Sequence, residues 1–139
     1  MSFDEKNAWA YAALAIAIPI VYFTTILGQL PSTPVDEIDY QVTLLTAIGA
    51  AIVLGIVLGI VLGIFSPKDA GKSDPRDKDI NRLGQHVAGI VLGVAMIAPL
   101  GLALAEFDHF WIANAIYLSF VLSAAVGTIV RLVAYRRGL

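Results

Sequence analysis

Long apolar runs alternate along this chain with short polar connections. Four hydrophobic stretches occupy about residues 8–30, 42–65, 86–105 and 110–134, and each meets the roughly 20 residues that a helix needs to cross a bilayer. They are apolar throughout instead of alternating, and backbone in lipid must satisfy its own hydrogen bonds, so the pattern predicts helices and not barrel strands. The expected fold is all-α: one domain over residues 1–139, a polytopic bundle of four transmembrane helices packed through small residues. Pro19 and Pro99 lie inside two of the runs. Each removes a backbone donor, which predicts a kink.

The connections carry the charge, and they carry it unevenly. Lys6 precedes the first run; Lys68, Lys72, Arg76, Lys78 and Arg82 lie between the second and third; Arg131, Arg136 and Arg137 close the fourth. These are all nine basic residues of the chain, and residues 31–41 and 106–109 contain none. The positive-inside rule therefore predicts a cytoplasmic N-terminus, 66–85 loop and C-terminus. Aromatic residues fall where interfacial belts are expected, with Trp9, Tyr11 and Tyr135 at the inner boundary and Tyr40, Phe110 and Trp111 at the outer one. The opening residues Met1 to Asn7 lack the positive region of a secretory signal, so the first run reads as a retained helix.

Within the middle loop, Asp74 followed by Pro75 reads as an N-cap with proline at the first helical position, and Asp77 adds negative charge to the first turn. A helix is expected to start there and to run into the third span. Residues 66–73 are small and polar, the composition of a loop.

Composition agrees with a membrane protein: 58% of residues are hydrophobic and 14% charged, against about 45–50% and 25% in soluble domains. Cysteine is absent, which excludes disulfides, thiolate metal sites and thiol redox chemistry. No Asp, Glu, Lys or Arg lies in the central part of a span, which removes the usual requirement of coupled transport.

Small residues recur at four-residue spacing. Gly55, Gly59 and Gly63 form such a stripe on the second span, and Ala115, Ser119, Ser123 and Gly127 form another on the fourth, with a shorter pair at Gly89 and Gly93. A stripe of this kind lets a neighbouring helix approach closely. Both stripes are expected to face protein, either inside one chain or across a subunit interface. Asn114, Ser119 and Ser123 also define a polar path that a channel formed between subunits could use. If neighbouring helices seal them, that reading loses its support.

Candidate chemistry is sparse. Asp36, Glu37 and Asp39 in one connection and Glu106, Asp108 and His109 in the other make an acidic outer face, of which Glu106, Asp108 and His109 are the candidate metal ligands or acid-base group. His86 and His109 stand at opposite ends of the third span, roughly 30 Å apart at 1.5 Å per residue, and cannot share an ion. Nothing else suggests catalysis, and no cofactor is expected. The basic loop suits anionic lipid headgroups, while interleaved Asp69, Asp74, Asp77 and Asp79 argue against nucleic acid.

Three segments together, Phe3-Asp4-Glu5-Lys6-Asn7-Ala8-Trp9, Asp74-Pro75-Arg76-Asp77-Lys78-Asp79-Ile80-Asn81-Arg82-Leu83-Gly84 and Asp108-His109-Phe110-Trp111-Ile112-Ala113-Asn114-Ala115, resemble a group of small uncharacterised bacterial membrane proteins. That group has four spans and an Asp-Glu-Arg-Asp-like sequence ahead of the third, with Pro75 here standing where Glu is commoner. The resemblance implies the fold and a bacterial inner membrane, and it transfers no catalytic residue. The expected function is that of a non-enzymatic membrane protein acting by helix packing, as an accessory or regulatory subunit or a homo-oligomer. A small oligomeric channel or transporter is the alternative.

Overall fold

The computed structural model describes residues 3–65 and 74–138; the 66–73 loop, with Lys68 and Lys72, lies outside them. The chain forms α1 (Phe3–Leu27), a single 3-10 turn (Val35–Glu37), α2 (Gln41–Phe65), α3 (Pro75–Ala95), α4 (Ile97–Leu104) and α5 (His109–Arg137). Four of the resulting segments are long and apolar enough to cross a membrane: α1, α2, α3 with α4 taken together, and α5.

The start of α3 follows from its first residues. Asp74 caps it, its Oδ1 accepting a 2.8 Å hydrogen bond from the Asp77 amide, and Pro75 occupies the first helical position, where no amide donor is required. From there α3 continues without interruption into the apolar run. Its end is set by Pro99, which has no N–H to give to the Ala95 carbonyl four residues back. The helix breaks for the single residue Met96 and resumes as α4. Pro19, by contrast, is carried inside an unbroken α1.

At the other end, α5 is capped by Asp108, whose Oδ1 accepts from the Phe110 amide at 2.9 Å. Gly138, in the left-handed conformation at φ 73°, closes it after Arg136 and Arg137. The turn between α4 and α5 places Glu106 at φ 59°, a conformation that disfavours any side chain.

The helices pack in sequence: α2 on α1, α1 on α5, and α5 on α3 and α4, with α3 against α5 the most extensive of these. The ends of the bundle differ in charge. Arg76, Lys78, Arg82, Arg136, Arg137 and Lys6 gather at one, hereafter the basic end; Asp36, Glu37, Asp39, Glu106 and Asp108 lie at the other, the acidic end.

A hydrophobic core sits at the acidic end. Tyr22 and Ile26 of α1, Ile38 and Tyr40 ahead of α2, and Phe110 of α5 are buried together, with Phe23 and Tyr117 packed against them. Ring edges meet faces between Tyr22 and Tyr117 at 5.0 Å and between Tyr40 and Phe110 at 5.3 Å, while Phe23 stacks on Tyr117 at 5.6 Å. A smaller cluster of Ile80, Ala134 and Tyr135 joins α3 to α5 at the basic end. This changes the reading of three boundary aromatics. Tyr40, Phe110 and Tyr135 are 9%, 0% and 7% exposed and belong to the interior, whereas Trp9, Tyr11 and Trp111 remain on the surface.

Candidate functional site

Tyr22, Asn114, Ser119 and Ser123 are buried within the bundle and bonded to protein. Tyr22 donates its phenol proton to Asn114 Oδ1 at 2.6 Å, and Asn114 Nδ2 donates to the Phe110 carbonyl at 2.8 Å. Ser119 donates to the Ala115 carbonyl of its own helix at 2.8 Å, while Ser123 crosses to the Ala88 carbonyl of α3 at 2.7 Å. All three residues of the polar stripe are buried. They also address different neighbours, Asn114 bonding to α1 and Ser123 to α3, so in one chain they line no common path.

The small-residue stripes separate in the same way. Gly127 lies on Gly84 and Ala88: a methyl group at Gly127 would come within 2.8 Å of the Ala88 Cβ and 2.9 Å of the Gly84 carbonyl oxygen. A methyl group at Gly84 would meet the Arg131 stem at 2.5 Å and the Gly127 carbonyl oxygen at 2.9 Å. The partner of the α5 stripe is thus α3, through Gly84 and Ala88, a pair four residues apart that the search for glycine repeats passes over because one member is alanine.

On α2 the glycines meet progressively less. A Cβ at Gly55 would touch the Tyr11 ring at 3.1 Å, one at Gly59 would reach only the Tyr11 hydroxyl at 3.9 Å, and one at Gly63 would meet nothing within 4 Å. Gly55 is the only fully buried residue of α2. Gly89 and Gly93 also meet nothing within 4 Å.

The acidic-end trio does not come together as a ligand set. Among the described residues no group of three or more His, Asp or Glu side chains is placed to hold a metal ion. Glu106, Asp108 and His109 are each exposed, and Asp108 directs a carboxylate oxygen at the start of α5. At the basic end, Arg76 Nη2 donates to the Tyr135 carbonyl at 3.1 Å with its guanidinium 5.8 Å from the Tyr135 ring centroid, and Arg136 stacks on Trp9 at 5.3 Å. These contacts join the starts of α1 and α3 to the end of α5.

Because α2 packs chiefly on α1, an apolar crevice remains between α2 and the rest of the bundle. Its volume is about 760 Å³, and all four spans contribute to it, with Ile18, Ile52, Ala88, Phe120 and Ala124 among the lining. Gln85, Thr128 and Arg131 supply polar atoms toward the basic end. A second crevice of about 430 Å³ lies between α1 and α2 nearer the acidic end. Its threonines are self-satisfied, Thr25 donating to the Val21 carbonyl and Thr46 to the Val42 carbonyl. Sequence reasoning did not find the larger crevice, which depends on how far α2 stands from α5.

Fold and interior together define a four-span, multi-pass membrane helical bundle whose intramembrane polar groups are used for packing. Comparison with protein families, curated proteins and solved structures returns no match to this chain.

Proposed function

We propose that this chain is a non-enzymatic protein of the bacterial cytoplasmic membrane that acts by helix packing, as an accessory subunit or a homo-oligomer. The basic end faces the cytoplasm in this reading, as the placement of all nine Lys and Arg residues requires under the positive-inside rule. The observation that carries the proposal is the unfinished packing of α2. Its glycine stripe suits close helix approach, yet among the described residues only Gly55 is covered and Gly63 meets nothing. The outward side chains Val53, Ile56 and Ile60 are each 58% exposed, a surface that lipid or another helix must cover.

A channel along Asn114, Ser119 and Ser123 has less support, since each is buried and bonded to protein. The test is the oligomeric mass of the chain in lipid nanodiscs and mild detergent. An assembly larger than one chain that Gly63→Leu reduces to monomer is the expected result. A monomer at every concentration, with no membrane protein retained alongside it, would sink the proposal.

A further inference from the structure

The larger crevice has the dimensions and polarity of a site for one hydrocarbon chain under an anionic headgroup. Its lining on α5 runs from Ala113 to Arg131, about 27 Å at 1.5 Å per residue, close to the roughly 30 Å thickness of a bilayer core. An extended hydrocarbon chain matches both the length and the apolar lining of this space. Its volume lies inside the range of about 300–1,000 Å³ usual for ligand pockets.

The polar groups are distributed as an amphiphile would need them. Apart from the Tyr11 and Tyr117 hydroxyls, they gather where Gln85, Thr128 and Arg131 meet. Arg131 is six residues short of the end of α5, about 9 Å inside it along the helix axis. Its stem lies across Gly84, where an added methyl would come within 2.5 Å of Cγ, so glycine is what lets the arginine lie along the α3 surface. Among the described residues its guanidinium bonds to one group, the neutral hydroxyl of Thr128 at 3.1 Å. A cation at that depth favours an anionic partner, and basic pockets between transmembrane helices take one from lipid headgroups.

We propose that this crevice is a binding site for an anionic phospholipid, with the phosphate at Arg131 and Gln85 and one acyl chain between α2 and α5. The site is built from α1, α3 and α5 as well as α2. It is also distinct from general attraction of headgroups to the basic end, because Arg136 and Arg137 lie outside the crevice lining.

The experiment uses the full chain in phosphatidylcholine nanodiscs containing a small fraction of phosphatidylglycerol with a photoactivatable group halfway along one acyl chain. After illumination, adducts are mapped by peptide mass. Adducts should concentrate on Ile52, Phe120 and Ala124 over Val53 and Ile56, although Ile52, Val53 and Ile56 are equally exposed at 58%. Labelled phosphatidylcholine should give fewer crevice adducts. Arg131→Gln should reduce the phosphatidylglycerol adducts about five-fold, the factor contributed by one cation near an anionic surface, and Arg136→Gln should leave them unchanged.

Adducts spread evenly over all exposed apolar positions would overturn the proposal, as would equal crevice labelling by the two lipids. Both of those comparisons use the unaltered protein and stand even where a variant fails to fold. A preference that survives Arg131→Gln in a folded protein would also overturn it.

Discussion

The phenol of Tyr22 and the amide of Asn114, 92 residues apart in the chain, form a 2.6 Å hydrogen bond inside the acidic-end core. It is the polar contact that fixes α1 against α5, and it is surrounded by aromatic rings that exclude competing partners. Tyr22→Phe removes the donor and leaves Asn114 Oδ1 unpaired. The expected loss of stability is about 0.6–1.7 kcal/mol, the span from average to largest for hydrogen bonds between membrane helices. A double-mutant cycle with Asn114→Leu, read by reversible unfolding in mixed detergent micelles, should recover most of that energy as coupling between the two positions.

Glycines in the third span should respond in opposite directions. Gly84→Ala pushes a methyl group into the Arg131 stem and the Gly127 carbonyl, and a destabilisation of about 1–3 kcal/mol is expected from overpacking. Gly93→Ala meets nothing within 4 Å and should be neutral or stabilising by up to about 1 kcal/mol, the intrinsic helical advantage of alanine. Thermal denaturation of the two variants side by side distinguishes them.

Asp108→Ala should cost about 0.5–2 kcal/mol by removing the cap of α5, with Asp108→Asn retaining most of the stability. Hydrogen exchange at the Phe110 amide should accelerate in the alanine variant alone. An ion-binding role for Asp108 would instead make the effect depend on added divalent metal.

Glu106→Gly should stabilise the turn between α4 and α5, because φ 59° costs a side chain roughly 1–2 kcal/mol that glycine does not pay. The measurement is again the unfolding midpoint. A loss of stability would mean that the Glu106 carboxylate makes a contact that outweighs its strained backbone.

Pro99→Ala supplies the missing amide donor for the Ala95 carbonyl and should close the break at Met96. Spin labels at Ile90 and Leu104, both exposed, report the result. Their separation should lengthen toward the roughly 21 Å expected of 14 residues in a straight helix.

The four spans were legible because long apolar runs leave a helix as the only local structure that lipid permits. Local chemistry was equally readable where it acts within a few residues, as in the Asp74 cap with Pro75 and the break that Pro99 imposes on the third span. What could not be read was which face meets which helix. Tyr40, Phe110 and Tyr135 carry no sequence mark that separates an interfacial aromatic from a buried one, because both environments favour the same amphipathic ring. The Ala115, Ser119, Ser123 and Gly127 spacing indicated a close contact, but its partner was set by Gly84 and Ala88, and only the packed structure pairs them. The crevice beside Arg131 was invisible for a related reason: it is a property of the distance between α2 and α5, two elements far apart in the chain.

The Tyr11 ring lies between Gly55 and the crevice, bounding both. The bundle is consequently built as a fixed frame and an adjustable wall. The frame is α5 with α3 and α1, locked by direct backbone proximity at Gly84 and Gly127 and by the Tyr22 to Asn114 bond. The wall is α2, which packs on α1 and meets the Tyr11 ring at Gly55. Changes at position 11 can therefore retune the bore of the crevice without loosening the frame, so that what the protein accommodates can diverge faster than how it folds.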